Sequence, residues 1–65
     1  MKRYRVQFFT YNPSDLRKFD ILVNEIVANF KTKKSAKEYG EKMVECLYGD
    51  EFQWEYNYRV RVAEY

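Results

Sequence analysis

Apolar and polar residues alternate without a break along the segment EFQWEYNYRVRV. The apolar members are Phe52, Trp54, Tyr56, Tyr58, Val60 and Val62. Because side chains alternate between the two faces of a strand, this pattern predicts a β-strand from about Glu51 to Val62 with one apolar, mostly aromatic face. A strand of this length in a chain of 65 residues strongly limits the folds that the chain can adopt, because its apolar face must be covered by the rest of the molecule.

Two earlier segments also show the alternation of a strand. Arg3–Tyr11 places Tyr4, Val6 and Phe8 on one face, and Phe9 and Tyr11 with polar residues on the other. Asn12–Asp15 follows as a polar turn that contains a proline. In Phe19–Lys31 the apolar positions are odd before Asn24 and even after Glu25. A β-bulge at these two residues would keep the apolar side facing inward through the change of phase. A tight hairpin there is the weaker alternative, because the segment has no glycine.

The segment Thr32–Tyr48 predicts a helix. Thr32 or Ser35 can cap its N-terminus, and Gly49 follows its last turn. Gly40 lowers helix propensity by ~1 kcal/mol relative to alanine, so we expect the helix to approach the sheet closely at this position. The apolar residues recur at helical spacing and form one stripe: Ala36, Tyr39, Gly40, Met43, Val44, Leu47 and Tyr48.

The predicted order of elements is ββαβ, within a single domain of residues 1–65. One helix packed on one face of a three-stranded, mainly antiparallel sheet gives a two-layer α+β fold. A right-handed crossover from the second strand to the third favours placing the third strand beside the first. The order 1-2-3 is the alternative, and in it the arginines of the first and third strands would lie two strands apart.

The chain has few groups suited to catalysis or metal binding. It contains no histidine and one cysteine, Cys46, which excludes an intrachain disulfide and the usual tetrahedral zinc site. At the border of the apolar stripe, Cys46 is expected to be a small buried hydrophobic residue. No phosphate-binding glycine loop and no calcium-loop spacing occurs. We therefore predict no catalytic residue, no metal, no cofactor and no enzymatic activity.

Charge is distributed unevenly along the chain. Residues 1–37 carry nine Lys/Arg against three Asp/Glu, whereas residues 38–58 carry one lysine against six acids. If the third strand lies antiparallel to the first, the two arginines of each strand come side by side at one end of the face that the helix leaves open. Glu51 and Glu55 are expected towards the other end. The candidate binding residues are Arg3, Arg5, Phe9, Tyr11, Val27, Arg59 and Arg61.

An open face with arginines and aromatic residues fits three interpretations. The first is a solvated surface without a binding role. The second is a protein-contact surface, in which Arg and Tyr are common hot spots. The third is a site for single-stranded nucleic acid. The RNA-recognition sheet motif, with its glycine-flanked aromatics, does not occur. Of the two functional interpretations, the sequence favours protein contact.

Lysines gather at the predicted start of the helix. A helix N-terminus is already positive, so lysines there cost ~0.3–1 kcal/mol each. A cost without visible compensation is typical of functional positions, and free backbone N–H groups would contribute to a site for phosphate or carboxylates. Exposed lysines without such a role are the alternative. The candidate anion-binding residues are Lys31, Lys33, Lys34 and Lys37.

These observations predict a small, non-enzymatic interaction protein, a regulator or inhibitor that binds another protein or itself as a homo-oligomer. Nucleic-acid or phosphate binding is the alternative. No segment approaches the ~20 apolar residues of a membrane span, and one unpaired cysteine suggests the reducing cytoplasm. In size and in its Lys-, Tyr-, Phe- and Asn-rich composition, the chain resembles the small regulators and inhibitors that phages encode, including anti-defence proteins.

Overall fold

The computed structural model describes residues 1–49 and 54–65. Its elements are β1 (Lys2–Thr10), β2 (Ile21–Phe30), α1 (Lys33–Tyr48), the short helical turn α2 (Trp54–Asn57) and β3 (Tyr58–Glu64). The strand order is β2-β1-β3, and both outer strands run antiparallel to β1. With α1 packed against this sheet, the predicted α+β fold is confirmed, and so is the third strand beside the first.

The third strand is shorter than the alternation predicts. Trp54–Asn57 is helical, and β3 begins only at Tyr58. Tyr58 pairs with Thr10, the last residue of β1, so earlier residues have no length of β1 beside them. The Thr10 hydroxyl donates a hydrogen bond of 2.9 Å to the Asn57 carbonyl, at the junction between the turn and the strand. The predicted start of the strand, residues 51–53, lies outside the described residues.

The change of parity in β2 is met by a β-bulge, as predicted. Leu22 and Asn24 pair with consecutive residues of β1, so Val23 between them is the extra residue. The sequence pattern puts the bulge at Asn24 and Glu25, one position further along. The strand runs through the bulge from Ile21 to the end of β2, and no hairpin forms there.

The core lies between α1 and the central strand. Its buried apolar residues are Tyr4, Val6, Phe8, Ala36 and Val44. α1 packs mainly on β3 and β1 and touches β2 only lightly. A Cβ atom on Gly40 would lie 2.6 Å from Val6 Cγ1 and 2.8 Å from Val60 Cγ1. The close approach of helix and sheet predicted at Gly40 is therefore confirmed.

Of the two capping residues considered, Thr32 is the N-cap of α1. Its Oγ1 atom accepts a hydrogen bond of 3.1 Å from the Ser35 backbone N–H. The predicted burial of Cys46 is wrong, because its side chain is exposed. Val44, two residues earlier, is buried against the sheet as the apolar stripe predicts. Leu47, which belongs to the same predicted stripe, is largely exposed.

Candidate functional site

The face of the sheet opposite α1 has no helix on it among the described elements. Tyr4, Val6 and Phe8 point towards α1, so the alternate residues of β1 and their partners on the outer strands point away from it. We call this surface the open face. It comprises Arg3, Arg5, Gln7, Phe9, Leu22, Glu25, Val27, Asn29, Arg59, Arg61 and Ala63.

The four arginines of the open face form a staggered row. Arg59 lies opposite Phe9 and Arg61 opposite Gln7, whereas Arg3 and Arg5 lie further along β1. The predicted antiparallel pairing is present, but its register offsets the two pairs of arginines. They are therefore not gathered at one end of the sheet as expected. We call Arg3, Arg5, Arg61 and Arg59 the arginine row.

Each guanidinium of the arginine row lies over an aromatic ring. The distances from Cζ to the ring centroid are 5.6 Å for Arg3 and 5.2 Å for Arg5 over Tyr65, 4.9 Å for Arg61 over Phe9, and 4.1 Å for Arg59 over Phe19. All four separations are within the ~6 Å at which cation–π attraction acts. The four arginine side chains are nevertheless exposed. The rings hold them in place while leaving them accessible from solvent.

Two of these rings belong to residues that the sequence did not single out. The alternation in the sequence predicts Phe19 on the apolar face of the second strand. In the structure Phe19 precedes β2, and its ring lies under Arg59. The Tyr65 N–H donates a hydrogen bond of 2.9 Å to the Arg3 carbonyl, which continues the pairing past β3. Tyr65 shares its parity with the arginines of β3, and this parity predicts its place on the open face. No local pattern marks Phe19.

Glu25 is the acidic member of the open face. Its Oε1 lies 3.3 Å from Arg5 Nε and accepts a hydrogen bond of 2.9 Å from Gln7 Nε2. The open face therefore keeps a net positive charge. Of the acids expected towards its other end, Glu51 lies outside the described residues, and Glu55 belongs to α2 instead of a strand.

The apolar candidate residues lie in two parts of the molecule: Phe9 and Val27 are on the open face, and Tyr11 lies beyond the end of β1. Val27 lies on the open face and is 42% exposed, close to the value for Leu22. Phe9 is half-buried beneath Arg61. Tyr11 comes after β1 has ended and lines a shallow pocket with Leu16, Phe19, Tyr56 and Asn57. Tyr11 is thus at the end of the open face, not in its centre.

The candidate anion-binding residues, Lys31, Lys33, Lys34 and Lys37, are separate from the arginine row. All four lysines are exposed, and the first turn of α1 contains no acidic residue. Within the described residues, none of the four has a carboxylate at ion-pair distance. Lys33, Lys34 and Lys37 lie in α1, on the other side of the sheet from the arginine row, whereas Lys31 directly follows β2. The candidate residues therefore do not form one site: the arginine row lies on the sheet and three of the lysines lie on α1.

Neither a metal-binding cluster nor a membrane-spanning helix occurs in the part of the chain that the structure describes. Among residues 1–49 and 54–65, no three His, Cys, Asp or Glu side chains are grouped so that they could hold a metal ion. No helix in the described part of the chain has the length and hydropathy needed to cross a membrane. Comparisons with models of protein families, with curated proteins and with solved structures gave no match.

Proposed function

We propose that the chain is a non-enzymatic interaction module that binds an acidic surface of a partner protein through the open face. The observation that carries this proposal is the arginine row, whose exposed guanidinium groups each lie over a ring. Arginine and aromatic residues are enriched among interface hot spots. Stacking on a ring leaves the in-plane N–H groups of a guanidinium accessible to other acceptors; in this row Arg5 Nε contacts Glu25 and Arg59 Nη1 donates to the Tyr58 carbonyl. A side chain already held in place loses less entropy on binding.

Exposed apolar residues beside the arginine row support the same function. Leu22 and Val27 are 50% and 42% exposed on the strand next to the row. Such residues could form the dry centre of an interface in which the arginines supply charge. The role that follows is that of a regulator or inhibitor acting on its partner. The exposed thiol of Cys46 favours a reducing compartment, for which we propose the cytoplasm.

Single-stranded nucleic acid is the second candidate ligand for the arginine row. Its binding combines phosphate contacts with bases stacked on open aromatic rings. Here the rings of Phe9 and Phe19 are half-buried, and each has a guanidinium over it. These two rings therefore offer little stacking surface to a base, which favours a protein partner, whereas Tyr65 is 65% exposed.

The test compares two double variants that lose the same charge. Arg5→Gln/Arg61→Gln removes two members of the arginine row, and Arg17→Gln/Lys18→Gln removes two exposed charges from the loop before β2. Each protein is immobilised and used to capture proteins from nuclease-treated lysate of the source cells. We expect a partner that is retained by the wild type and by the loop variant and lost by the arginine-row variant. Equal capture by all three would contradict the proposal.

A direct binding assay separates the nucleic-acid candidate. Fluorescence anisotropy with labelled oligothymidylate and oligouridylate is measured at low and at physiological salt. Phosphate contacts predict affinity that falls steeply with salt and depends on the arginine row. We expect no such binding from a protein-interaction module. Tight, salt-sensitive binding that is lost in the arginine-row variant would replace the proposed function with nucleic-acid recognition.

A further inference from the structure

β2 is an outer strand of the sheet with an unpaired edge. Its inner edge pairs with β1, and none of the described residues pairs with its outer edge. α1 gives it little cover, since the helix packs mainly on the other two strands. Four of its aliphatic side chains are between 41% and 50% exposed: Ile21, Leu22, Val23 and Val27.

The hydrogen-bonding direction of β2 follows from one bond at the other side of the sheet. The Tyr65 N–H binds the Arg3 carbonyl, so odd residues of β1 direct their backbone groups towards β3. Because the direction alternates along a strand, even residues of β1 face β2 and bond their even partners there. The backbone groups of Glu25, Val27 and Asn29 therefore point outward from the sheet.

This edge has few of the features that protect outer strands from further pairing. Lysine, proline and β-bulges in an outer strand are the features that usually prevent such pairing. β2 contains neither lysine nor proline, and its bulge at Val23 leaves the segment from Asn24 to Phe30 regular. Glu25 is its one charged residue, and this carboxylate already contacts Arg5 across the open face.

We infer that the outer edge of β2 pairs with β2 of a second copy of the chain. A two-fold axis at Ala28 brings Glu25 of each copy opposite Lys31 of the other, which directly follows the end of β2, and so places opposite charges across the interface twice. On the helix side of the sheet, the same register pairs Ile26 with Phe30 of the second copy. Opposite charges and apolar residues are both favourable as cross-strand neighbours.

Self-complementary charge makes a second copy the occupant that fits this edge. In the register centred on Ala28, the residues that face one another share the same parity, so each side chain stays on its own face of the sheet. The register centred on Glu25 would instead place like charges opposite one another, which is destabilising. The dimer has a six-stranded sheet, with both helices on one face and both arginine rows on the other.

This inference goes beyond the proposed function, because it concerns the sheet edge and requires no other protein. Its first test is a charge swap. Glu25→Lys gives each dimer two lysine–lysine pairs, and Lys31→Glu gives two glutamate–glutamate pairs. Sedimentation equilibrium should show each variant alone dimerising about tenfold more weakly than the wild type, since repulsion acts twice. A one-to-one mixture should recover the dimer, because both pairs become complementary again.

The mixture also controls for misfolding, since two variants that fail to fold would not recover a dimer on mixing. A wild-type chain that stays monomeric at every accessible concentration would overturn the inference. So would a dimer whose strength is the same in both variants and in their mixture. Glu25→Lys also removes the contact with Arg5, whereas Lys31→Glu leaves the arginine row unchanged, so Lys31→Glu separates this test from that of the proposed function.

The second test measures the register. In a Cys46→Ser background, Ala28→Cys places two thiols across a non-hydrogen-bonded pair with Cα atoms ~4.5 Å apart, within the range of a disulfide. Val23→Cys is the matched control at a position away from the axis. Under mild oxidation we expect a covalent dimer from Ala28→Cys and far less from Val23→Cys. Cross-linking at equal rates from both positions would contradict the register.

Discussion

Gly40 is the residue at which α1 and the sheet come closest. Any Cβ at this position meets Val6, which is fully buried, and Val60, at distances below ordinary contact. Gly40→Ala gains ~1 kcal/mol of helix propensity but forces overpacking that costs ~1–3 kcal/mol. We therefore expect the free energy of unfolding, measured by urea denaturation, to fall by about 1 kcal/mol.

A second substitution tests the physical reason for this loss. Val6→Ala removes the methyl group nearest to the new Cβ. Val60→Ala, added to that background, removes the second short contact, at 2.8 Å, and there Gly40→Ala should be neutral or stabilising, because only the gain in helix propensity remains. An alanine at position 40 that stabilises the wild-type chain as well would show that the helix moves away from the sheet at little cost.

At the scale of elements, α1 depends on its N-cap. The Thr32 hydroxyl binds the Ser35 N–H, and lysines occupy the first turn instead of acids. We expect Thr32→Ala to lower the free energy of unfolding by about 1 kcal/mol. Thr32→Asp should be at least as stable as the wild type, because it keeps the acceptor and adds a negative charge at the positive end of the helix. Equal stability of all three proteins would show that this cap contributes nothing.

The bulge in β2 predicts which single deletion the strand tolerates. Without Val23, residues 22 and 24 become neighbours and continue to pair with Phe9 and Phe8 in an unbroken ladder. Deleting Val27 instead turns Ile26 to the opposite face of the sheet. We expect the Val23 deletion to retain a cooperative thermal transition and the Val27 deletion to lose much more stability. Equal melting temperatures, measured by circular dichroism, would contradict this interpretation of the bulge.

Local patterns predicted the elements but not all of their ends. The helix was predictable because its N-cap, its apolar spacing and Gly49 after its last turn all agree. The first part of the third strand was not, although the alternation through Trp54 and Tyr56 is as regular as in β3. A strand also needs a neighbour, and β1 stops at Thr10, where Tyr58 pairs with it. Alternation describes the faces of a strand and does not describe the length of its partner.

At the scale of the whole molecule, the residues of the open face were predictable and their arrangement was not. Parity placed the arginines and Val27 on one surface, and the crossover rule placed β3 beside β1. The stagger of the arginine row depends on which residue of β3 lies opposite Arg5, and this register is set by packing across the sheet. The ring beneath Arg59 comes from Phe19, in a connection outside the strands.

Self-association predicts a thermal stability that depends on protein concentration. A dimer that forms only from folded chains stabilises them by mass action. We expect the melting temperature to rise as the concentration increases, and to rise much less in Glu25→Lys. Differential scanning fluorimetry, which can follow the tryptophan and tyrosines of the chain, measures this directly. A melting temperature independent of concentration would count against the β2 interface.

The central position of β1 also has a consequence for the dynamics of the chain. Its even-numbered amides bond to β2 and its odd-numbered amides to β3, so neighbouring protons report on different outer strands. If β2 detaches first, hydrogen exchange should be faster at Tyr4, Val6 and Phe8 than at the odd positions between them. If β3 detaches first, the order reverses. The parity of exchange along this one strand therefore identifies which side of the sheet opens first.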